Sequence, residues 1–141
     1  MKKLLFLLMV LQLFLYADSS SIDKKIYSTI LRSIFPKKET IYVYTDSQEK
    51  KQLFSQIKNI FLVDKENADI FIIGKINHEF TNKNEIIFVD NYHAFKNYKD
   101  IAIGGFYWKK GRPNLVFIKE NLQKHDIKLP AKMKKYIYSD L

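Results

Sequence analysis

Two short runs constrain this chain more than any other feature. Residues 69–74 (DIFIIG) and 85–90 (EIIFVD) are continuously apolar between polar or glycine ends. A strand with one solvated face alternates, whereas a strand covered on both faces reads as an unbroken apolar run, as in a parallel sheet with helices above and below. The pair therefore predicts an α/β domain built on a parallel core. Between the runs, residues 77–84 are polar and too few for a helix.

The remaining elements follow from periodicity and caps. Ile22, Ile26, Ile30 and Ile34 recur every four residues beside Leu31, which places an amphipathic helix before Phe35-Pro36, with Ser20 or Ser21 as its cap. Residues 40–45 (TIYVYT) alternate as a strand. Asp46-Ser47-Gln48-Glu49 has the spacing of a capping box with Asp46 in the cap role, and Leu53, Phe54 and Ile57 line one face of the helix it opens. Residues 60–63 read as a short strand, and Tyr92, Phe95 and Tyr98 mark a short helix after Asp90. Residues 101–108 and 114–118 read as strands around Lys109-Lys110-Gly111-Arg112-Pro113, which is hairpin chemistry. Residues 120–125 and 130–138 read as late helices, the second opened by Pro130 with Met133, Tyr136 and Ile137 on one face. With no internal repeat or linker, the expectation is a single compact α/β domain. Its mixed sheet has about five or six strands flanked by helices.

The start of the chain speaks to location. Met1-Lys2-Lys3 is cationic, residues 4–15 are apolar apart from Gln12, and Tyr16-Ala17 leads into the polar run Asp18-Ser19-Ser20-Ser21. That is the order of a secretory signal peptide, with an apolar run too short to span a bilayer comfortably. Residues 1–17 are thus expected to be a cleaved signal peptide and residues 18–141 a periplasmic domain; the alternative is an uncleaved N-terminal anchor. The absence of cysteine rules out disulfides, a lipoprotein anchor and a thiolate nucleophile, so the core alone must hold the domain together. A net charge of +9 would point first to nucleic acid in a cytosolic protein. Export argues against that partner. The charge then reads either as a lysine bias of the proteome or as attraction to anionic lipid head groups or an acidic partner domain.

No reacting constellation is visible. His78, His93 and His125 lack metal-ligand spacing, so no metal is expected. Asp69 and Asp90 stand at strand edges, where carboxylates cap turns far more often than they catalyse. There is no Gly-x-Ser-x-Gly elbow. Gly104-Gly105 lies inside a strand and not between a strand and a helix, which makes it a bulge or a close approach of two backbones, not a phosphate loop. No catalytic residue and no cofactor is expected. The one unusual concentration is residues 104–114, with three of the four glycines, the only Trp, and three successive aromatics beside three cations. It reads as a well-made turn with Gly111 at positive φ, and compatibly as a partner-binding surface of Tyr107, Trp108, Lys109, Lys110 and Arg112. Strand alternation puts Phe106 and Trp108 on one face and Tyr107 on the other, so at least one large aromatic is expected to be exposed.

The order of elements over residues 41–137 resembles the YfiR-type periplasmic family. The matching stretches are the strand and helix of residues 41–58, the strand Ala68-Asp69-Ile70-Phe71-Ile72-Ile73, and Ile86-Ile87-Phe88-Val89-Asp90 with its short helix. The hairpin from Ile101-Ala102-Ile103 to Leu115-Val116-Phe117-Ile118 and the closing residues 122–129 match as well. The chain departs from the family in lacking its cysteines and in its long aromatic hairpin. The resemblance implies an exported, non-enzymatic α/β regulator that engages the periplasmic domain of an inner-membrane signalling protein, of sensor-kinase or diguanylate-cyclase type. The other function read from the residues is a periplasmic receptor for a small anionic solute, bound at strand C-termini near Asp90 or at the helix start after Thr45.

Overall fold

The computed structural model describes residues 21–80 and 82–141, so the signal-peptide expectation for residues 1–17 and the cap at Ser20 lie outside the described residues. Residues 21–34 are helical (α1). There follow β1 (Ile41–Thr45), α2 (Gln48–Ser55), β2 (Ile60–Leu62), β3 (Ile70–Ile73), β4 (Ile87–Val89), α3 (Tyr92–Tyr98), β5 (Gly104–Lys109), β6 (Arg112–Ile118), α4 (Lys119–Lys124), a 3-10 turn (Ala131–Tyr136) and β7 (Ile137–Tyr138). Among the described residues the strands form one mixed sheet in the order β2-β1-β3-β4-β5-β6-β7. The run from β2 to β5 is parallel, β6 is antiparallel to β5, and β7 is parallel to β6. The chain is a single α/β domain, and the seventh strand is the two-residue β7.

The two apolar runs behave as their composition requires. Every residue of β3 and β4 is buried, because helices or loops cover both faces of the sheet. On one face α1 and α2 set Tyr27, Ile30, Leu31, Ile34, Leu53 and Phe54 against Ile41, Val43, Ile70, Ile72 and Phe88. On the other, α3 sets Ala94, Phe95 and Tyr98 against Phe71, Ile73, Ile87 and Val89. Each fully buried side chain of this size contributes about 1.5–3 kcal/mol relative to exposure, which is what a domain without disulfides depends on.

Three local expectations are corrected. The inward stripe of α1 is Tyr27, Ile30, Leu31 and Ile34, while Ile22 is 50% exposed. A strict four-residue repeat drifts off a 3.6-residue helix, and the face that meets the sheet turns away from Ile22. Ser47, not Asp46, caps α2: its side chain accepts from the Lys50 amide at 3.3 Å. Residues 130–138 do not form one helix. Pro130 is extended at the N-cap of the 3-10 turn, and Ile137 and Tyr138 instead pair with Phe117 and Ile118, whose backbone would otherwise lie at a sheet edge.

The hairpin is held by a close approach and a buried amide. A Cβ on Gly104 would collide with the Val116 carbonyl oxygen across the strand pair and lie 3.1 Å from Phe117. The close backbone approach read from the glycine pair is therefore present. Asn121 of α4, buried, donates to the carbonyls of Lys99 (2.9 Å) and Ala102 (2.7 Å), fixing the loop that enters β5. Among the described residues no helix is long and apolar enough to cross a membrane.

Gly104→Ala is expected to cost about 3 kcal/mol of stability, since the obstacle is backbone and not a movable side chain. Gly111→Ala meets nothing within 4 Å but keeps a φ of +72°, so it should cost only about 1 kcal/mol. Chemical denaturation of the two variants tests that order.

Candidate functional site

Two places gather functional groups: the tip of the β5–β6 hairpin, and a crevice at the carboxyl ends of β1, β3 and β4. At the tip, Lys109 pairs with Arg112, which leaves Lys110-Gly111 as a two-residue turn. Both have positive φ, 52° and 72°, the combination that matches the right-handed twist of a hairpin. Pro113 pairs only with Trp108, since β7 reaches no further than Phe117 and Ile118, so its missing N–H costs no sheet bond on that side.

Alternation then sorts the aromatics. Phe106 enters the core beneath α1, with its ring 5.6 Å from Tyr27. Trp108, on the same face, is 51% exposed and stands 6.4 Å from Phe106. Tyr107 points the opposite way and is only 8% exposed, packed on Tyr92 (5.4 Å) and Phe95 (5.7 Å) of α3. Lys109 lays its ammonium 4.0 Å above the Tyr92 ring, a cation–π contact. Of the five residues singled out in the sequence, Trp108, Lys109, Lys110 and Arg112 form an exposed tip. Tyr107 is the buried anchor that fastens it to α3.

The crevice arises from topology. β1 has β2 on one side and β3 on the other, so the chain leaves the carboxyl end of β1 in one direction and that of β3 in the other. In open α/β sheets this reversal opens a ligand-sized gap beyond the strand ends. Here it encloses about 460 Å³ between Asp46, Lys50, Gly74, Lys75, Asp90 and Asn91. Asp46 staples the two sides, accepting the Gly74 amide at 2.8 Å and the Lys75 amide at 3.0 Å. Asn91 caps α3 through the Ala94 amide (2.8 Å) and donates to the Gly74 carbonyl (2.8 Å) and to Asp90 Oδ1 (3.0 Å). Gly74 leaves room for that carboxylate, because a Cβ there would lie 2.6 Å from Asp90 Oδ1.

The electrostatics of the inner wall are unusual. Burial pushes the Asp90 carboxyl above the ordinary carboxylate range, and the Lys50 charge and the Asn91 hydrogen bond oppose the shift. The Lys50 side chain is 12% exposed, with Glu49 3.9 Å away and the Tyr27 ring 5.7 Å below it. Tyr27 is fully buried among Phe54, Phe88 and Phe106, yet its hydroxyl has no hydrogen-bond partner among the described residues. Burial first, then the charges of Asp90, Asp23 and Glu49, hold that hydroxyl well above the usual tyrosine pKa. Asp23 also keeps one enclosed carboxylate oxygen without a partner among the described residues, and burial pushes its carboxyl above the ordinary range. Around the crevice itself, three carboxylates, Asp46, Glu49 and Asp90, stand with two ammonium groups, Lys50 and Lys75.

The other candidates sort simply. Asp69 closes strand ends, accepting the Tyr42 amide at 2.9 Å and pairing with Lys38 at 2.7 Å. His78 packs among Tyr44, Phe71 and Phe80, and His93 is exposed on α3. Among the described residues no group of three or more His, Cys, Asp and Glu is placed to hold a metal ion. Sequence reasoning missed Lys50 and the buried Tyr27 beneath it. A lone tyrosine inside an isoleucine stripe and a lysine on a lysine-rich helix carry no signal until the strand order is known.

Burial foremost, then the Lys65 charge, lowers the His78 pKa below 6.5, against the opposing charges of Asp46 and Glu85. The folded state therefore prefers the neutral ring. The unfolded chain takes up the proton first as pH drops through about 6.5, so this histidine's contribution is complete above that pH and declines below it. His78→Gln should flatten part of the stability loss between neutral and mildly acidic pH, read as Tm against pH. No family model matches this chain, and neither does any curated protein or solved structure.

Proposed function

We propose that this chain is an exported, non-enzymatic regulatory module that works in the periplasm. It engages the outward-facing domain of an inner-membrane signalling protein of sensor-kinase or diguanylate-cyclase type. The observation that carries this reading is the hairpin tip, where Trp108, Lys109, Lys110 and Arg112 stand exposed on a two-residue turn. Trp and Arg dominate interface energies, and a rigid platform spares the ordering cost of binding. The cationic, apolar and small-residue start of the chain supports export, and the net charge of +9 supports an acidic partner surface beside an anionic membrane. The resemblance to the YfiR-type family supports the same class of partner.

Affinity capture from envelope membranes with residues 18–141 should recover a protein that carries a transmembrane segment and a periplasmic sensory domain. Binding of that isolated domain should weaken by more than about 1 kcal/mol in Arg112→Ala, with folding intact because Arg112 is exposed. Trp108→Ala is less decisive, since the indole also packs on Phe106. A folded Arg112→Ala protein that binds as tightly as wild type reduces the hairpin to a turn.

A further inference from the structure

We propose that the gap between α1, β6 and the 3-10 turn of residues 131–136 binds a single-chain anionic amphiphile, a free medium-chain fatty acid. This site is separate from the hairpin tip and from the protein partner proposed for it. The gap follows from how the sheet is covered. Leu115 pairs with Phe106 and faces the same side of the sheet, but Phe106 lies beneath Tyr27 of α1, while Leu115, one strand further out, is only half-buried. The chain returns to that face after Pro130, where Met133 enters the core. Between the helix and the turn lies a pocket of about 400 Å³, whose apolar lining is Ile26, Ile30, Leu115, Met133 and Tyr136.

Size and lining suit an acyl chain. Small-molecule sites are concave and mostly apolar, of roughly 300–1,000 Å³, with a few polar groups that fix orientation. At roughly 30 Å³ for a group of water's size, the space holds about a dozen heavy atoms, the size of one ten-carbon carboxylate. Ile30 and Met133 are buried, and Ile26, Leu115 and Tyr136 half-buried, so the apolar wall is made by residues already packed into the core.

Charge selects the head group. Lys25, Lys132 and Lys135 rim the pocket, and no acidic residue lines it although the chain has 15. These cations come from two separate elements, α1 and the 3-10 turn, so the fold and not a run of lysines brings them around one apolar floor. Among the described residues none of the three ammonium groups has a carboxylate partner, the ion pairs being those of Lys38 and Lys50. Lys135 is held 5.1 Å from the centre of the Tyr136 ring, at the border between apolar wall and rim. Thr29 spends its hydroxyl proton on the Lys25 carbonyl at 2.9 Å, which leaves recognition of a head group chiefly to the lysines. An anion with an apolar tail matches floor and rim together. The concavity suits one chain entering from solution and not a bilayer, which presents a flat plane of head groups.

The test is isothermal titration calorimetry of the purified chain with decanoate below its micellar range, beside octanoate and decyltrimethylammonium. Decanoate should bind one-to-one with a Kd below about 1 mM. Octanoate, two methylenes shorter, should bind about tenfold more weakly. Decyltrimethylammonium, with the same chain and the opposite charge, should also lose about tenfold or more. The triple variant Lys25→Gln/Lys132→Gln/Lys135→Gln, all exposed positions, should weaken decanoate about tenfold with Tm unchanged. Lys58→Gln/Lys99→Gln/Lys119→Gln removes the same charge at exposed positions elsewhere and should bind decanoate as wild type does. The methyl resonance of Met133 should shift as decanoate saturates the site. The proposal is overturned by no binding of decanoate up to about 10 mM, by equal binding of decyltrimethylammonium, by unchanged affinity in the first triple variant, or by a Met133 methyl that does not move. Sedimentation with phosphatidylglycerol vesicles in the absence of decanoate binding also overturns it, and makes this face a membrane contact instead.

Discussion

The burial of β3 and β4 on both faces governs the rest of this molecule. A parallel core has no solvated side, so the chain must supply cover above and below it, and it does so unequally. One face receives α1 and α2. The other receives α3 and the segment carrying Phe80, which stop short of the β2 edge. Tyr42 and Phe61 are consequently left facing solvent on that side, 6.3 Å apart and exposed together. The edge strand beneath them has only three residues, the usual way of making an open edge a poor template for another chain.

The hairpin solves a second constraint. After four parallel pairings β5 needs a partner on its far side, and an antiparallel return through Lys110-Gly111 provides one with the shortest possible connection. The glycine at 104 lets β6 come close at the base of the pair, and Tyr107 fixes the outer part to α3. The tip is therefore rigid because of residues that never reach the surface. Its exposed cations inherit that rigidity, and Lys109 is further held over Tyr92.

Much of this could be read in the residues because the signals are local. Unbroken apolar runs announced β3 and β4, Gly-Arg-Pro chemistry announced the turn, and the glycine pair announced the close approach at Gly104. What escaped depends on distant partners. Asp46 has the spacing of a cap, but two amides from the end of β3 compete for its oxygens and the adjacent serine takes the cap instead. Tyr107 is buried only because α3 lies across it. Ile137 leaves its helical pattern because β6 offers backbone groups to pair with. The crevice is the extreme case, since it follows from strand order, which no single stretch of sequence encodes.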